Sequence, residues 1–308
     1  MISKITISPF RSFFIIRLKL LKTIYRYFEP VNTYHSVVCL EPLNNEIQVC
    51  KNFQLLISPS IPTTSINKRL DFFGNTNHYF SIETPHKELV VEAVSEVESK
   101  PQKLNPALLS ITCAETLDLI QANRDLRVSI WQYMIESPFI HWDEEIKAFA
   151  LPSFQPNRPL HEAVKDLCHR IFTEFKFVSN YTNINTPIKT VLRERKGVCQ
   201  DFSHLAIASI RSMGFAARYV SGYLETKPPK GQKKLQGSDA SHAWISVYIP
   251  HAGWCEFDPT NDLIPEERHI VTSYGRDYSD VVPLKGVIFS SGRHTLSVEV
   301  DVIPLEDN

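Results

Sequence analysis

Three residues in the C-terminal half of the chain have the types and the setting for covalent chemistry on a carbonyl: Cys199, His242 and Asp258. Cys199 lies in "RKGVCQDFSHLAIASIRSMGFAARYVSGY", which runs from Arg195 to Tyr223. Taken alone, it fits four roles: a buried core thiol, half of a disulfide, a metal ligand or a nucleophile. Downstream, Phe202, Leu205, Ala206, Ser209 and Met213 recur at helical spacing and Gly214 supplies a stop, so Cys199 is expected in or just before a first helical turn. There the helix dipole and unpaired backbone N–H groups favour a thiolate, and the same N–H groups can hold an oxyanion.

A thiolate nucleophile needs a base, and the base needs an orienting partner. "SHAWISVYIPHAGWCEFDPTND" holds candidates for both. Strand alternation puts His242, Trp244, Ser246 and Tyr248 on one face and Ala243, Ile245 and Val247 on the other. A hairpin centred on His251, with an odd-length connection, pairs Tyr248 with Trp254 and Trp244 with Asp258. Asp258 then becomes a diagonal neighbour of His242 on the same face, and a slip of one residue would separate them. Cys255 falls on the opposite face and is expected to be buried and inert. Each of the three has an ordinary alternative: a core thiol, a satisfied histidine, a turn-starting aspartate. Their joint placement favours chemistry.

The remaining sequence narrows the classes. The chain has 33 basic and 34 acidic residues and a net charge of −1, which argues against a nucleic-acid partner. The six cysteines form no CxxC pair and no zinc-ligand spacing, as expected of free thiols in a reducing compartment. No acidic cluster has calcium-loop spacing, so neither a metal nor a cofactor is expected. The opening "MISKITISPFRSFFIIRLKLLK" is interrupted by Arg11, Arg17 and Lys19, is too short to span a bilayer and lacks a small-residue cleavage site. It is read as an N-terminal extension over residues 1–19, with a cytoplasmic location and no membrane partner.

Residues 20–100 read as a β-rich, sandwich-like domain. Alternating runs such as "EIQVCKNFQLLISP" carry no evident chemistry, and "RLDFFGNTNHYFSIET" is a hairpin signal around Gly74 and Asn75. Cys39 and Cys50 are read as small core residues. Pro101 and Pro106 mark a boundary, and the period turns helical beyond it. In "RPLHEAVKDLCHRIFTEFKF", Leu160, Val164, Leu167, Ile171 and Phe175 make the apolar stripe, with Cys168 beside it in a structural role. "TPIKTVLRERKG" is expected to be a short helix stopped at Gly197. "ETKPPKGQKKLQGSDAS", just before His242, is a solvated loop or a lid. Residues 101–308 are read as one catalytic domain.

"RERKGVCQDFSHLAIASIRSMGFAARYVSGYL", "ASHAWISVYIPHAGWCEFDPTND" and "GRDYSDVVPLKGV", in this order, resemble the bacterial transglutaminase-like family of candidate cysteine peptidases. The preceding β segment is similar to that family's N-terminal domain. The resemblance implies a papain-like α+β core in which a nucleophile helix packs on an antiparallel sheet. It also implies Cys199 as nucleophile, His242 as general base and acid, and Asp258 as the group that orients the imidazole. Asp201 and His204 belong to the same pattern and are expected, with Trp244, to support the site rather than react. For "GRDYSDVVP" a buried pairing of Arg276 with Asp277 is expected. The implied reaction is acyl transfer on peptide or isopeptide amides of a peptide or protein substrate. Hydrolysis is the first reading; protein-glutamine cross-linking, or a non-catalytic peptide-binding scaffold, is the alternative. The oligomeric state is left open.

Overall fold

The computed structural model describes residues 14–100, 105–225, 240–288 and 292–304. Residues 1–13 of the expected extension and most of the loop before His242 lie outside the described residues.

The fold is α+β. Strands β1 (Phe14–Val31), β2 (Tyr34–Val38), β3 (Gln48–Ser58), β4 (Asn67–Leu70), β5 (Thr76–Ile82) and β6 (His86–Ser99) open the chain. The buried positions of β6 alternate with half-exposed ones, which turns one face inward. At the β4–β5 hairpin, Leu70 pairs with Thr76 and Gly74 takes a φ of 83°. The Asp71 carboxylate accepts the N–H groups of Phe73 and Asn75 and closes the turn.

Helices follow: α1 (Cys113–Ala122), α2 (Arg124–Ile130), α3 (Glu144–Ala150) and α4 (Leu160–Glu174). Thr112 and Glu115 cap α1 reciprocally. Next come β7 (Lys176–Phe177), α5 (Ile188–Glu194), β8 (Lys196–Gly197) and α6 (Cys199–Ser212). Strands β9 (Ala217–Leu224), β10 (Ala240–Ile249), β11 (Gly253–Phe257) and β12 (His269–Gly275) form an antiparallel sheet in the order β11-β10-β9-β12. Helices α4 and α6 pack on one face of it: Leu167, Leu205 and Ala206 share a core with Ile245, Val247 and Phe257. Among the described residues, no helix is long and apolar enough to cross a membrane.

The two final strands change the expected domain division. β13 (Leu284–Ile288) pairs with β2, and β14 (His294–Pro304) pairs with β1. The two N-terminal sheets, β14-β1-β6-β3 and β13-β2-β5-β4, are therefore completed by the C-terminus and enclose a core of Val38, Phe80, Leu89, Val97 and Val302. Residues 284–304 belong to the sandwich, because β1 has a free edge until β14 covers it. Residues 14–19, expected in the extension, are part of β1: 14–18 pair with β6 and 16–18 also with β14.

Two local expectations are also corrected. Helix α5 stops two residues early, at Arg195 in the left-handed region (φ 53°), rather than at Gly197. Helix α6 is buried on all sides from Asp201 to Arg211, rather than along a single stripe. It is enclosed by α3, α4, α5 and the sheet.

Candidate active site

Cys199 is the first residue of α6, and Val198 before it is extended. The approach to this position is tightly built. Gly197 passes so close to Asp201 that a Cβ there would lie 2.9 Å from the aspartate's Cβ. The Asp201 Oδ2 accepts the Val198 N–H at 2.8 Å and the Thr182 hydroxyl at 2.5 Å. Burial pushes this carboxyl up, against the pull of both bonds. Phe202 N–H makes the first intrahelical bond, to Val198 O, which leaves the N–H groups of Cys199 and Gln200 unused by the helix.

The β10–β11 hairpin has the register that the alternation implies. Tyr248 pairs with Trp254 and Ile245 with Phe257, around a three-residue turn in which His251 has a φ of 65°. Asp258 lies one step past Phe257, and its Oδ2 is 2.7 Å from His242 Nε2. His242 is 9% exposed and Asp258 0%. With Nε2 committed to the carboxylate, Nδ1 is the ring nitrogen left for Cys199, which lies near enough to raise the imidazole.

The electrostatics follow from burial and these contacts. Burial opposes a charged imidazole, but Asp258 and Cys199 outweigh it and raise His242 to about 10. Burial also pushes the Asp258 carboxyl up, and bonds from His242, His269 and Asn261 overcome it and hold the group well below the carboxylate range. Five of the six thiols are made harder to ionise by burial. Burial raises Cys39 and Cys255 to about 12, Cys50 and Cys113 to about 11, and Cys168 well above its ordinary value. All six are free.

A half-exposed thiol at a helix start thus acts on an imidazole that is bonded to a buried carboxylate. Known proteins share the sequence that builds this arrangement. A sequence profile of the Transglutaminase-like superfamily matches residues 147–259, and one of the Bacterial transglutaminase-like N-terminal region matches residues 20–98. The chain belongs to the transglutaminase-like superfamily. An uncharacterized protein of Mycobacterium tuberculosis is 38% identical over 293 residues, covering 92% of this chain and 91% of the relative. An uncharacterized protein of Mycobacterium leprae is 30% identical over 282 residues, covering 91% of this chain and 96% of the relative. The crystal structure of a candidate cysteine protease from Cytophaga hutchinsonii shares the fold, with a TM-score of 0.73 at 18% identity, over 96% of this chain and 94% of that one.

In this transglutaminase-like core, Trp244 is fully buried and stacks on His242 with ring centroids 5.8 Å apart. Its indole N–H donates to Glu256 Oε2 at 2.8 Å, and Tyr274 holds the other Glu256 oxygen at 3.0 Å. His204 lies five residues beyond Cys199 on α6 and is buried. Its Nε2 accepts the Tyr278 N–H at 3.2 Å, and its ring stacks on Phe139. Burial holds it neutral, down to about 4, with Asp277 opposing and Arg211 reinforcing. The expected pairing of Arg276 with Asp277 is corrected: Arg276 binds Asp280 through Nε and Nη2, both at 2.9 Å. Asp277 instead accepts the Phe139 and Ser279 N–H groups, at 2.9 and 2.8 Å.

Two residues at the site were not singled out by the sequence. The Asn261 amide donates to Asp258 Oδ2 at 2.7 Å, and His269 Nε2 lies 3.2 Å from the same oxygen. The "DPTND" turn carried a signal for Asn261, three residues beyond Asp258. His269 had none, because it enters from β12 across the sheet. His242, Asp258 and His269 each present one possible metal-ligating atom, within 4.8 Å of one another. Their contacts here are hydrogen bonds.

Proposed function

We propose that the chain is a thiol-dependent hydrolase of peptide or isopeptide amides, with Cys199 as nucleophile, His242 as general base and acid, and Asp258 as the orienting carboxylate. The observation that carries this reading is the Nε2–Oδ2 contact of 2.7 Å in a buried pair, on an imidazole that Cys199, at the start of α6, also raises.

Asp258 is ionised and can only accept, so His242 Nε2 carries a hydrogen and Nδ1 is the nitrogen that exchanges a proton with sulfur. The Cys199 thiolate attacks the amide carbon, and a C–S bond forms as the carbonyl electrons move to oxygen. The free N–H groups of Cys199 and Gln200 can receive that oxyanion. Collapse breaks the C–N bond, and the His242 imidazolium gives its Nδ1 proton to the departing amine. A thioester remains. Water, deprotonated by His242, then releases the acid and restores the thiol. Trp244 and the buried carboxylate keep bulk water from the far side of the imidazole. The cysteine-protease description of the Cytophaga hutchinsonii protein supports hydrolysis over cross-linking.

The test is the pH dependence of Cys199 alkylation by iodoacetamide, in the parent and in His242→Ala. Rapid alkylation near neutrality, slowed at least tenfold by the substitution, supports the pair. An ordinary thiol profile, indifferent to His242, refutes it. A glutamine-peptide screen with added primary amine then separates the fates of the acyl group: amine incorporation ahead of hydrolysis would replace the hydrolase by a cross-linking enzyme.

A further inference from the structure

His269 is a second buried histidine on the candidate orienting carboxylate. It opens β12, which lies on the far side of β9 from β10. Its ring meets Trp244 edge-on, with centroids 5.2 Å apart at 76°, and its centroid is 6.0 Å from that of His242. The strand between them makes this approach possible. Gly222 of β9 pairs with His242 on one side and Val271 on the other. A Cβ there would lie 2.0 Å from the Ile270 carbonyl oxygen and 2.7 Å from the Trp244 ring. Only a bare backbone lets Trp244 and His269 close over β9.

The donors on Asp258 are crowded. Its Oδ1 accepts the backbone N–H groups of Thr260 and Asn261, at 2.9 and 3.3 Å. Its Oδ2 faces His242 at 2.7 Å, the Asn261 amide at 2.7 Å and His269 at 3.2 Å. Five donors compete for about four lone-pair positions. The backbone bonds to Oδ1 hold the carboxylate in place without His269, so His269 changes how its charge is divided rather than where it sits. The other ionisable groups facing this cluster are Cys199 from α6, against the imidazole, and Cys168 from α4, near the carboxylate. Asp262 is paired with His169 at 2.7 Å.

We propose that His269 is a positioning residue that donates through Nε2 to Asp258 Oδ2, shares that oxygen with His242, and so limits how firmly the imidazolium keeps its proton. This deepens, and rests on, the reading of Cys199 and His242 as a working pair. His269 Nδ1 is buried and has no acceptor among the described residues, which fits a ring that carries its hydrogen on Nε2.

The test follows the ring nitrogens of His242 and His269 by NMR across a pH series, in the parent, His269→Phe and His269→Gln. The phenyl ring keeps the shape without a donor, and the glutamine amide keeps a donor. In the parent, His269 is expected as the Nε2–H tautomer; an Nδ1–H tautomer overturns the proposal without recourse to any variant. In His269→Phe the His242 midpoint is expected to rise by about half a pH unit or more, and in His269→Gln to stay near the parent's. A folded His269→Phe with an unmoved midpoint, or an equal shift in both variants, overturns it. The midpoint reports on His242 whether or not Cys199 is a nucleophile. Failure of the alkylation test and failure of this one are therefore distinguishable.

Discussion

His242 and Asp258 meet diagonally across the two arms of the β10–β11 hairpin, with Nε2 2.7 Å from Oδ2 and both groups buried. The contact couples the protonation of the site to the stability of the fold. His242 is raised from 6.5 to about 10, so its contribution is complete below pH 6.5 and is lost as pH rises through about 10. Asp258 is depressed, so its contribution is present above the ordinary carboxylate range and is lost as pH falls through its depressed value. The two shifts describe one interaction and count once. The melting temperature of the parent is expected to fall between neutrality and pH 10. Asp258→Asn is expected to cost about 3 kcal/mol at neutrality and to flatten that decline. Urea melts at a series of pH values check both, and a parent equally stable across the window contradicts the coupling.

His204 predicts an acid limb of its own. Its folded value, about 4, lies below the 6.5 of an unfolded histidine, so the unfolded chain binds the extra proton. Its contribution is complete above pH 6.5 and drains away as pH falls toward 4. His204→Gln, which can keep an acceptor for the Tyr278 N–H, should be less sensitive to pH over that window. Thermal melts between pH 7 and 4 compare the two, and parallel curves would assign the acid loss to other groups.

The six thiols should differ sharply in reactivity. Burial raises the five other than Cys199; Cys113 also begins a helix but is buried, whereas Cys199 is half-exposed and acts on the His242 imidazole. Substoichiometric iodoacetamide at neutral pH should label Cys199 first, by at least tenfold over any other cysteine. Peptide mass mapping reads this directly. Predominant labelling of half-buried Cys50 would show that exposure, and not activation, governs the chain's thiols.

Gly222 should tolerate no side chain. In Gly222→Ala the new methyl meets a backbone oxygen, which cannot swing aside as a flexible side chain can. The substitution should cost about 2 kcal/mol or more, with β9 and β12 forced apart. A variant that melts with the parent would mean that the two strands separate cheaply.

The alternation through His242 and Asp258 is local, and so is the helical period that begins at Cys199. A hairpin with a three-residue turn has one register that buries its apolar face, and that register brings the two side chains together. The Asp201 carboxylate three residues into α6 and the Gly74 turn are legible for the same reason: the interaction closes within a few residues.

What the order of residues alone did not determine is where distant strands pair. The long alternating run of β14 fits any exposed edge, and only the packed sandwich assigns it to β1. Asn75 and Gln48, polar residues of the N-terminal sheets, bind the backbone of β12 at Tyr274 and Val271, and so brace the strand that delivers His269. His269 itself reaches Asp258 only because β12 lies beside β9, and β9 has no side chain at Gly222. Such contacts depend on the sum of many buried surfaces. Cys199, His242 and Asp258 were therefore readable along the chain as candidates. The second histidine, the completed sandwich and the Arg276–Asp280 pair were decided by the tertiary structure.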